Sequence, residues 1–446
     1  SYTDLAGNNG PSATFSNYVV ETRLPTLSGV VITSATGVQN SFVNAGDVVT
    51  LTASFSESVI VDNTSNNPTL TLALESSNPN ATYTSGNNST ALVFQYTIQT
   101  GDTDSNGISI GSDALALNSA TIRDAAENNA TLTHSSVGNN SGFMVDTTPP
   151  TVDSVAITGG TNMQNNFLNA ADKTGSSDVV SATVTFSEDV NKTGTPKLTL
   201  AIGSDNQTAT YASGTGSRPL VFQYTIQAGD NDTDGISFGA NAIDLDNGTI
   251  SDPAGNNAIL DHDPVPSNDS YMVDTEAPRV DNFTIDDLVL LIGETATVNL
   301  VFSEAVRLFD HNDVTAPTGV LPTSPATEMS TRDNISWNGT FTPTNGVEVP
   351  TNTLSLRGAT NYTDLAGNNG PSATFSSYEV DTIAPTGTFT LSDRFLRVTD
   401  NSTVPLVADN MTVTLEFTEA VVGFSSDDDI TIPNLDYGPG QGRASG

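Results

Sequence analysis

ATYTSGNNSTALVFQYTIQTGDTDSNGISIGSDAL, residues 81–115, returns as ATYASGTGSRPLVFQYTIQAGDNDTDGISFGANAI, residues 209–243. Each copy holds short runs rich in β-branched and aromatic residues: Ala81-Thr82-Tyr83, then Leu92-Val93-Phe94-Gln95-Tyr96-Thr97-Ile98. Asn, Gly and Asp bound every run, which is the pattern of strands joined by turns. Working outward, 48–55 alternates apolar and small polar residues, and Leu70-Thr71-Leu72-Ala73-Leu74 follows. No useful helical period occurs anywhere. The repeat offset holds as far as Val145-Asp146-Thr147 and Val273-Asp274-Thr275. A second repeat type shares YTDLAGNNGPSATFS between residues 2–16 and 362–376.

Two recurring marks divide the chain. One is an acidic-Thr-x-x-Pro linker, at Glu21-Thr22, Asp146-Thr147, Asp274-Thr275 and Asp381-Thr382. The other is a Phe-Ser/Thr-Glu-x-Val strand ending, beginning at Phe55, Phe186, Phe302 and Phe417. They predict the closing strands of a repeat (1–22), two type A repeats (23–148 and 149–275), a type B repeat (276–382) and the opening of another type B repeat (383–446). In that last piece strands are expected near 386–391 and 413–421, followed by the stretch 427–433 that begins at Asp427. About seven strands in about 125 residues is the count of an immunoglobulin-like sandwich. The fold class is therefore all-β: a tandem array of immunoglobulin-like β-sandwich domains joined by short acidic linkers.

The chain has 51 acidic residues against 13 basic, a formal net charge of −38. Such a field repels nucleic acid and anionic membranes and attracts cations. Many of these acids serve simply as a solubilising surface. The longest apolar run, 288–292, is too short to span a bilayer, so membrane insertion of this segment is not expected. The chain opens at Ser1 without a signal peptide, so a larger parent protein is expected. It has no Cys, and a secreted protein without disulfides needs another staple, of which bound metal is one.

The FSExV strand, the QAGD-x-D-x-DGI loop, the D-x-A-G-N-N turn and the VDTTPP linker resemble bacterial Ig-like repeats. Such repeats fill the stalks of giant calcium-dependent surface adhesins of the RTX and biofilm-associated types, and they also occur in surface-layer proteins. The resemblance covers nearly the whole chain. It implies an extracellular, cell-surface location, a spacer role and linkers stiffened by Ca²⁺. Two departures stand out: the first linker reads Glu21-Thr22-Arg23, with a cation beside its acid, and residues 276–382 lack the D-x-D-x-D/N-G loop.

Calcium takes six to eight hard oxygen ligands, and two constellations offer them. The first is a loop with acids at alternate positions: Asp102, Asp104 and Asn106, then Asp113; and Asp230, Asp232 and Asp234, then Asn241. The competing reading is a polar turn. The second is assembled from distant segments. In a sandwich of alternating strands, the linker before the first strand, the end of the second and the loop between the last two share one pole. That joins Asp146, Glu188, Asp252 and Asn256, and likewise Asp274, Glu304, Asp364 and Asn368. The flanking junctions offer Glu57 with Asp124, and Asp381 with Glu419.

Catalysis finds no support. There is no Cys nucleophile, phosphate loop or zinc spacing, and His134 and His262 occupy one repeat position, as structural residues do. Trp337 is the only Trp and is expected to pack its own domain. Asn, Ser and Thr are abundant enough for many sequons, such as Asn80-Ala81-Thr82, Asn191-Lys192-Thr193, Asn338-Gly339-Thr340 and Asn410-Met411-Thr412, to arise by chance; only if the source glycosylates Asn do they favour a surface layer or sheath over a projecting stalk. The expected partners are neighbouring repeats of the same polypeptide, or copies joined head to tail. In that second arrangement residues 1–22 of one copy would add strands to 383–446 of the next.

Overall fold

The computed structural model describes residues 2–12, 14, 18–170, 176–321, 330–331, 333–393, 411–426 and 428–431. Asn410, Asp427 and residues 432–433 lie outside the described residues. The chain divides into two compact units, 1–276 and 277–446. Among the described residues the only helical element is one 3₁₀ turn, His311–Asp313, and no helix is long and apolar enough to cross a membrane. The rest is strand and turn, as the alternating pattern predicts.

In the first unit, the strand Val48–Asp62 buries every second residue from Val49 to Phe55 and again at Val59 and Val61. It pairs with Leu27–Ala35 on one side and Ser89–Thr97 on the other. The latter hands on to Asn80–Ser85, Thr69–Thr71 and Leu115–Ala116. Beyond Ser54 the ladder with Ser89–Thr97 breaks, and Ile60, Val61 and Asp62 pair instead with Thr121–Arg123. One strand therefore serves both layers of the sandwich. A short parallel pair, Phe42–Val43 with Met144–Val145, closes the repeat.

The second repeat copies this plan. Val179–Lys192 pairs with Val152–Gly160 and Ser217–Thr225, and its end pairs with Ile250–Ser251. Phe167–Leu168 runs parallel to Met272–Val273. Each repeat has a separate apolar core, around Leu51, Leu92 and Phe94 in one and Val184, Leu220 and Phe222 in the other. Edge-to-face pairs recur at the same place: Tyr83–Phe94 with ring centroids 5.9 Å apart and Tyr211–Phe222 at 6.2 Å. Each fully buried side chain of this size contributes about 1.5–3 kcal/mol.

The second unit is a two-sheet sandwich over residues 280–381. One sheet runs Val280–Ile285, Ala296–Phe302, Ser336–Pro343 and Gly319–Val320; the other runs Val289–Leu291, Ala373–Asp381, Glu348–Leu356 and Val314–Thr315. A hairpin, Ala359–Asp364 with Asn369–Gly370, pairs with Val306–Arg307. Trp337 is half-buried edge-on to Phe309, centroids 4.8 Å apart, and packs its own domain. Further along, Gly387–Leu391 and Val413–Phe417 form an antiparallel pair, close to the two strands expected there.

Residues 2–22 differ from the expectation of closing strands. Among the described ones there is a single bridge, Thr3 to Asn9, and no strand. The turn survives without its sandwich. Asp4 accepts from the amides of Ala6 and Asn8, both at 2.9 Å, and Tyr2 stacks over Gly10 as Tyr362 does over Gly370. Tyr362 is fully buried while Tyr2 is 66% exposed, so the local chain encodes the turn and the missing core decides the strands.

Candidate metal centre

The strand ending that carries the glutamate has a definite structural meaning. Val179–Lys192 leaves its partner after Thr185 and rejoins at Val190, then pairs with Ile250–Ser251 from Asn191. Glu188 sits in the unpaired stretch where the strand changes layers. Ser187 is anchored there by donating its amide to the Thr151 carbonyl at 2.9 Å. The change of layer delivers Glu188 beside the turn that follows Ile250–Ser251.

That turn begins with Asp252. Its Oδ1 accepts the Asn256 amide at 2.9 Å and its Oδ2 the Asn256 Nδ2 at 2.8 Å. The same clasp recurs at Asp4–Asn8, Asp124–Asn128 and Asp364–Asn368. The turn thus satisfies its own backbone, but each carboxylate oxygen keeps a second lone-pair direction. Asn256 Nδ2 also donates to the Asp146 carbonyl at 2.9 Å, tying the linker to the turn. The linker is held from its other side by the Asp146 amide donating to Val43 O at 3.1 Å.

Three distant segments thereby bring carboxylate oxygens of Asp146, Glu188 and Asp252 within 4.8 Å of one another. Burial, then the charges of Asp146, Asp252 and Asp189, push the Glu188 carboxyl from 4.5 up to about 6. The donor set is all hard oxygen with no imidazole or thiolate, the ligand chemistry that hard cations take.

In the second unit Glu304 occupies the same break, between Ala296–Phe302 and Val306–Arg307, and its carboxylate lies within 4.8 Å of Asp364. Asp364 is buried and accepts from the amides of Gly367 at 2.7 Å and Asn368 at 2.9 Å. Asp274 belongs to the first unit, at the end of Met272–Asp274, where burial raises its pKa against the opposing hydrogen bond from the Glu276 amide.

The flanking junctions are less complete. Glu21, Glu57 and Asp124 line one groove without forming a trio within 4.8 Å. Burial opposes ionisation of Asp124, but hydrogen bonds from Asn128 and Ala126 hold its pKa below the usual value. Arg23 reaches Glu21 through its backbone amide, at 2.6 Å, and not through an ion pair. Asp381 caps the Ile383 amide at 3.2 Å, and Glu419 follows Val413–Phe417.

The loop constellation resolves differently. Asp102 Oδ2 accepts from Tyr96 Oη at 2.6 Å and the Gln99 amide at 2.9 Å. Asp104 Oδ1 accepts from the amides of Asn106 and Gly107. Asp230 and Asp232 repeat these roles with Tyr224, Gln227, Asp234 and Gly235. Asp113 and Asn241 both take left-handed φ, 52° and 51°, and accept the His134 and His262 amides at 3.0 Å. The carboxylates serve the turn itself, and the acids of neither loop form a trio within 4.8 Å. Glu75, which sequence reading passed over, caps the first loop by accepting from Ser105 and Asn106. Gly203 stands in its place in the second repeat, donating its amide to Asp232, so no recurrent signal marked it.

His134 and His262 are also explained. Each Nε2 accepts the amide of Ala114 or Ala242, and each Nδ1 faces a backbone carbonyl. Both rings are structural clamps.

Residues 274–380 match the family model described as a bacterial Ig-like domain. No curated protein matches the chain. Among solved structures, three titin domains (I67–I69, an E-to-A variant) share 8% identity and a TM-score of 0.28, covering 76% of this chain and 95% of that one. The Escherichia coli adhesin FdeC shares 10% identity and a TM-score of 0.27, covering 80% and 96%. The eight N-terminal Ig domains of Down syndrome cell adhesion molecule share 11% identity and a TM-score of 0.24, covering 81% and 37%.

Proposed function

We propose that this chain is a spacer segment of an extracellular surface protein of the adhesin or surface-filament kind, and that Ca²⁺ at its repeat junctions stiffens it. The supporting observation is the convergence of Asp146, Glu188 and Asp252 from three segments at one junction. Without a cation these carboxylates repel. A Ca²⁺ ion held by them would supply the missing positive charge, while Asn256 and the Val43 carbonyl hold the linker in place. The acid-rich surface and the tandem sandwich plan suit reach and display.

Extracellular modules of this kind bind with Kd of roughly 10⁻⁴ to 10⁻³ M. At about 10 mM Ca²⁺ such a site contributes about 1–3 kcal/mol. The test is small-angle scattering and thermal unfolding with 10 mM Ca²⁺ (on the order of ten times a weak Kd) against chelator. A longer maximum dimension and a higher Tm are expected with Ca²⁺; unchanged values overturn the reading.

A surface-layer or sheath role has one observation in its favour: the sequon residues Asn80, Asn191 and Asn338 are all exposed. Electron microscopy of the native assembly separates a lattice from projecting filaments.

A further inference from the structure

The turn that carries Asp252 is also gripped from outside its own repeat. Asn40 Nδ2 donates to the Pro253 carbonyl at 2.9 Å, and Asn44 Nδ2 donates to the Ala254 carbonyl at 3.1 Å. Both asparagines belong to the preceding repeat. Gly255, at φ +95°, faces Gln39: a Cβ there would lie 2.4 Å from Gln39 Nε2. Ala254 is consequently buried, whereas Ala126 and Ala6, at the same motif position, are exposed.

The gripping loop is a built element. Gln39 and Phe42 exchange backbone hydrogen bonds at 2.9 and 2.8 Å around Asn40 and Ser41, which both take positive φ. The second repeat builds the same turn: Gln164 and Phe167 exchange bonds at 3.0 and 2.9 Å around Asn165 and Asn166, again at positive φ. The sequences are Gln39-Asn40-Ser41-Phe42-Val43-Asn44 and Gln164-Asn165-Asn166-Phe167-Leu168-Asn169.

The type B repeat has no such turn. Its equivalent parallel strand, Val289–Leu291, is preceded by Asp286 and Asp287, which accept hydrogen bonds and cannot donate to a carbonyl. Neighbour identity follows these positions along the sequence. The repeat after each Asn-turn repeat carries glycine in its acidic turn, at Gly255 and Gly367. The repeat at 23–148 follows a type B tail and carries Glu127 instead, at φ 65°.

We infer that the Asn turn of the repeat 23–148 is a docking knob whose partner is the Asp252-Pro253-Ala254-Gly255 turn of the repeat that follows it. The amides of Asn40 and Asn44 read backbone carbonyls, and glycine admits the approach of Gln39. A side chain at that place has to displace the Gln39 amide, and glutamate adds bulk and charge against the loop, so the order of neighbours is written in two short turns. The contact uses no carboxylate and operates without a cation, so it is separable from the Ca²⁺ reading.

The chain has no Cys, so Ser65→Cys and Ser204→Cys, both at exposed turns of successive repeats, accept spin labels cleanly. Inter-label distance distributions are recorded on the full chain in chelator. A narrow distribution is expected for the labelled parent. Asn40→Ala with Asn44→Ala should broaden it at least twofold, and Gly255→Glu should do the same. The fold tolerates glutamate in this turn, as Glu127 shows. Combining all three changes should add no further width, because they break one contact. Unaltered width in the asparagine variant overturns docking. So does a parent distribution that narrows only when Ca²⁺ is added. A Ca²⁺ effect absent from every variant would defeat the cation reading and leave docking standing.

Discussion

Burial and the neighbouring acids hold the Glu188 carboxyl at about 6, above its ordinary 4.5. Because the folded value is the higher one, the folded chain binds the extra proton between about pH 4.5 and 6. The cost of ionising Glu188 is absent below that window and fully present above it. A shift of this size is about 2 kcal/mol at full weight, and partial exposure with solvent screening reduces it to about 1 kcal/mol. In chelator, stability of the repeat 149–275 should therefore fall by about 1 kcal/mol as pH rises through this window. Glu188→Gln should flatten that dependence and, at pH 7, stabilise the metal-free chain by a similar amount. With Ca²⁺ the sign reverses: the parent gains and the glutamine variant does not. Urea unfolding at pH 4.5 and pH 7, with and without Ca²⁺, measures all four corners. A glutamine variant that still gains fully from Ca²⁺ removes Glu188 from the site.

At the scale of elements, the acids of the loops 102–113 and 230–241 accept hydrogen bonds from nearby amides and hydroxyls and converge on no trio. Asp113→Asn should be neutral to within about 0.5 kcal/mol, since Asn241 already does the same work. Asp104→Ala strips two amides of their acceptor in a buried turn and should cost about 1–3 kcal/mol. The loss should be equal with and without Ca²⁺ in thermal unfolding; a loss confined to Ca²⁺ would restore the ligand role. The strands flanking these loops were legible because burial imposes a period of two on 48–55 and 92–98. The convergence of Asp146, Glu188 and Asp252 was legible too, because alternating strands fix which ends share a pole. The loop chemistry was ambiguous because calcium sites and Asx turns draw on one residue vocabulary, Asp, Asn and Gly. The turn of Asn40 and Asn44 recurs visibly in the sequence, but what it grips cannot be read there. They bond to backbone carbonyls of another repeat, and a carbonyl has no letter of its own.

At the scale of the whole chain, the opening strands of a type B repeat occur in two settings. Ala296–Phe302 lies inside a sandwich and alternates fully buried with half-buried residues. Val413–Phe417 has the corresponding sequence pattern but among the described residues pairs only with Gly387–Leu391, whose residues are all exposed. Phe389, Leu391 and Val413 each expose about half their surface. A lone two-stranded hairpin is marginal in water, because the apolar face that would offset its ordering entropy stays wet. Amide hydrogens of 387–391 and 413–417 should therefore exchange at least a hundredfold faster than those of 296–302, read by exchange mass spectrometry. Equal protection would mean that something covers this face. The segment 2–22 is one candidate, since Tyr2, Leu5, Tyr18, Val19 and Val20 are all exposed in turn. A synthetic peptide of residues 2–22, added in excess, decides it. Slowed exchange at 387–391 and 413–417 would establish strand addition between copies. Unchanged rates would exclude it, because a sandwich edge that could accept those strands from a neighbour must also accept them free.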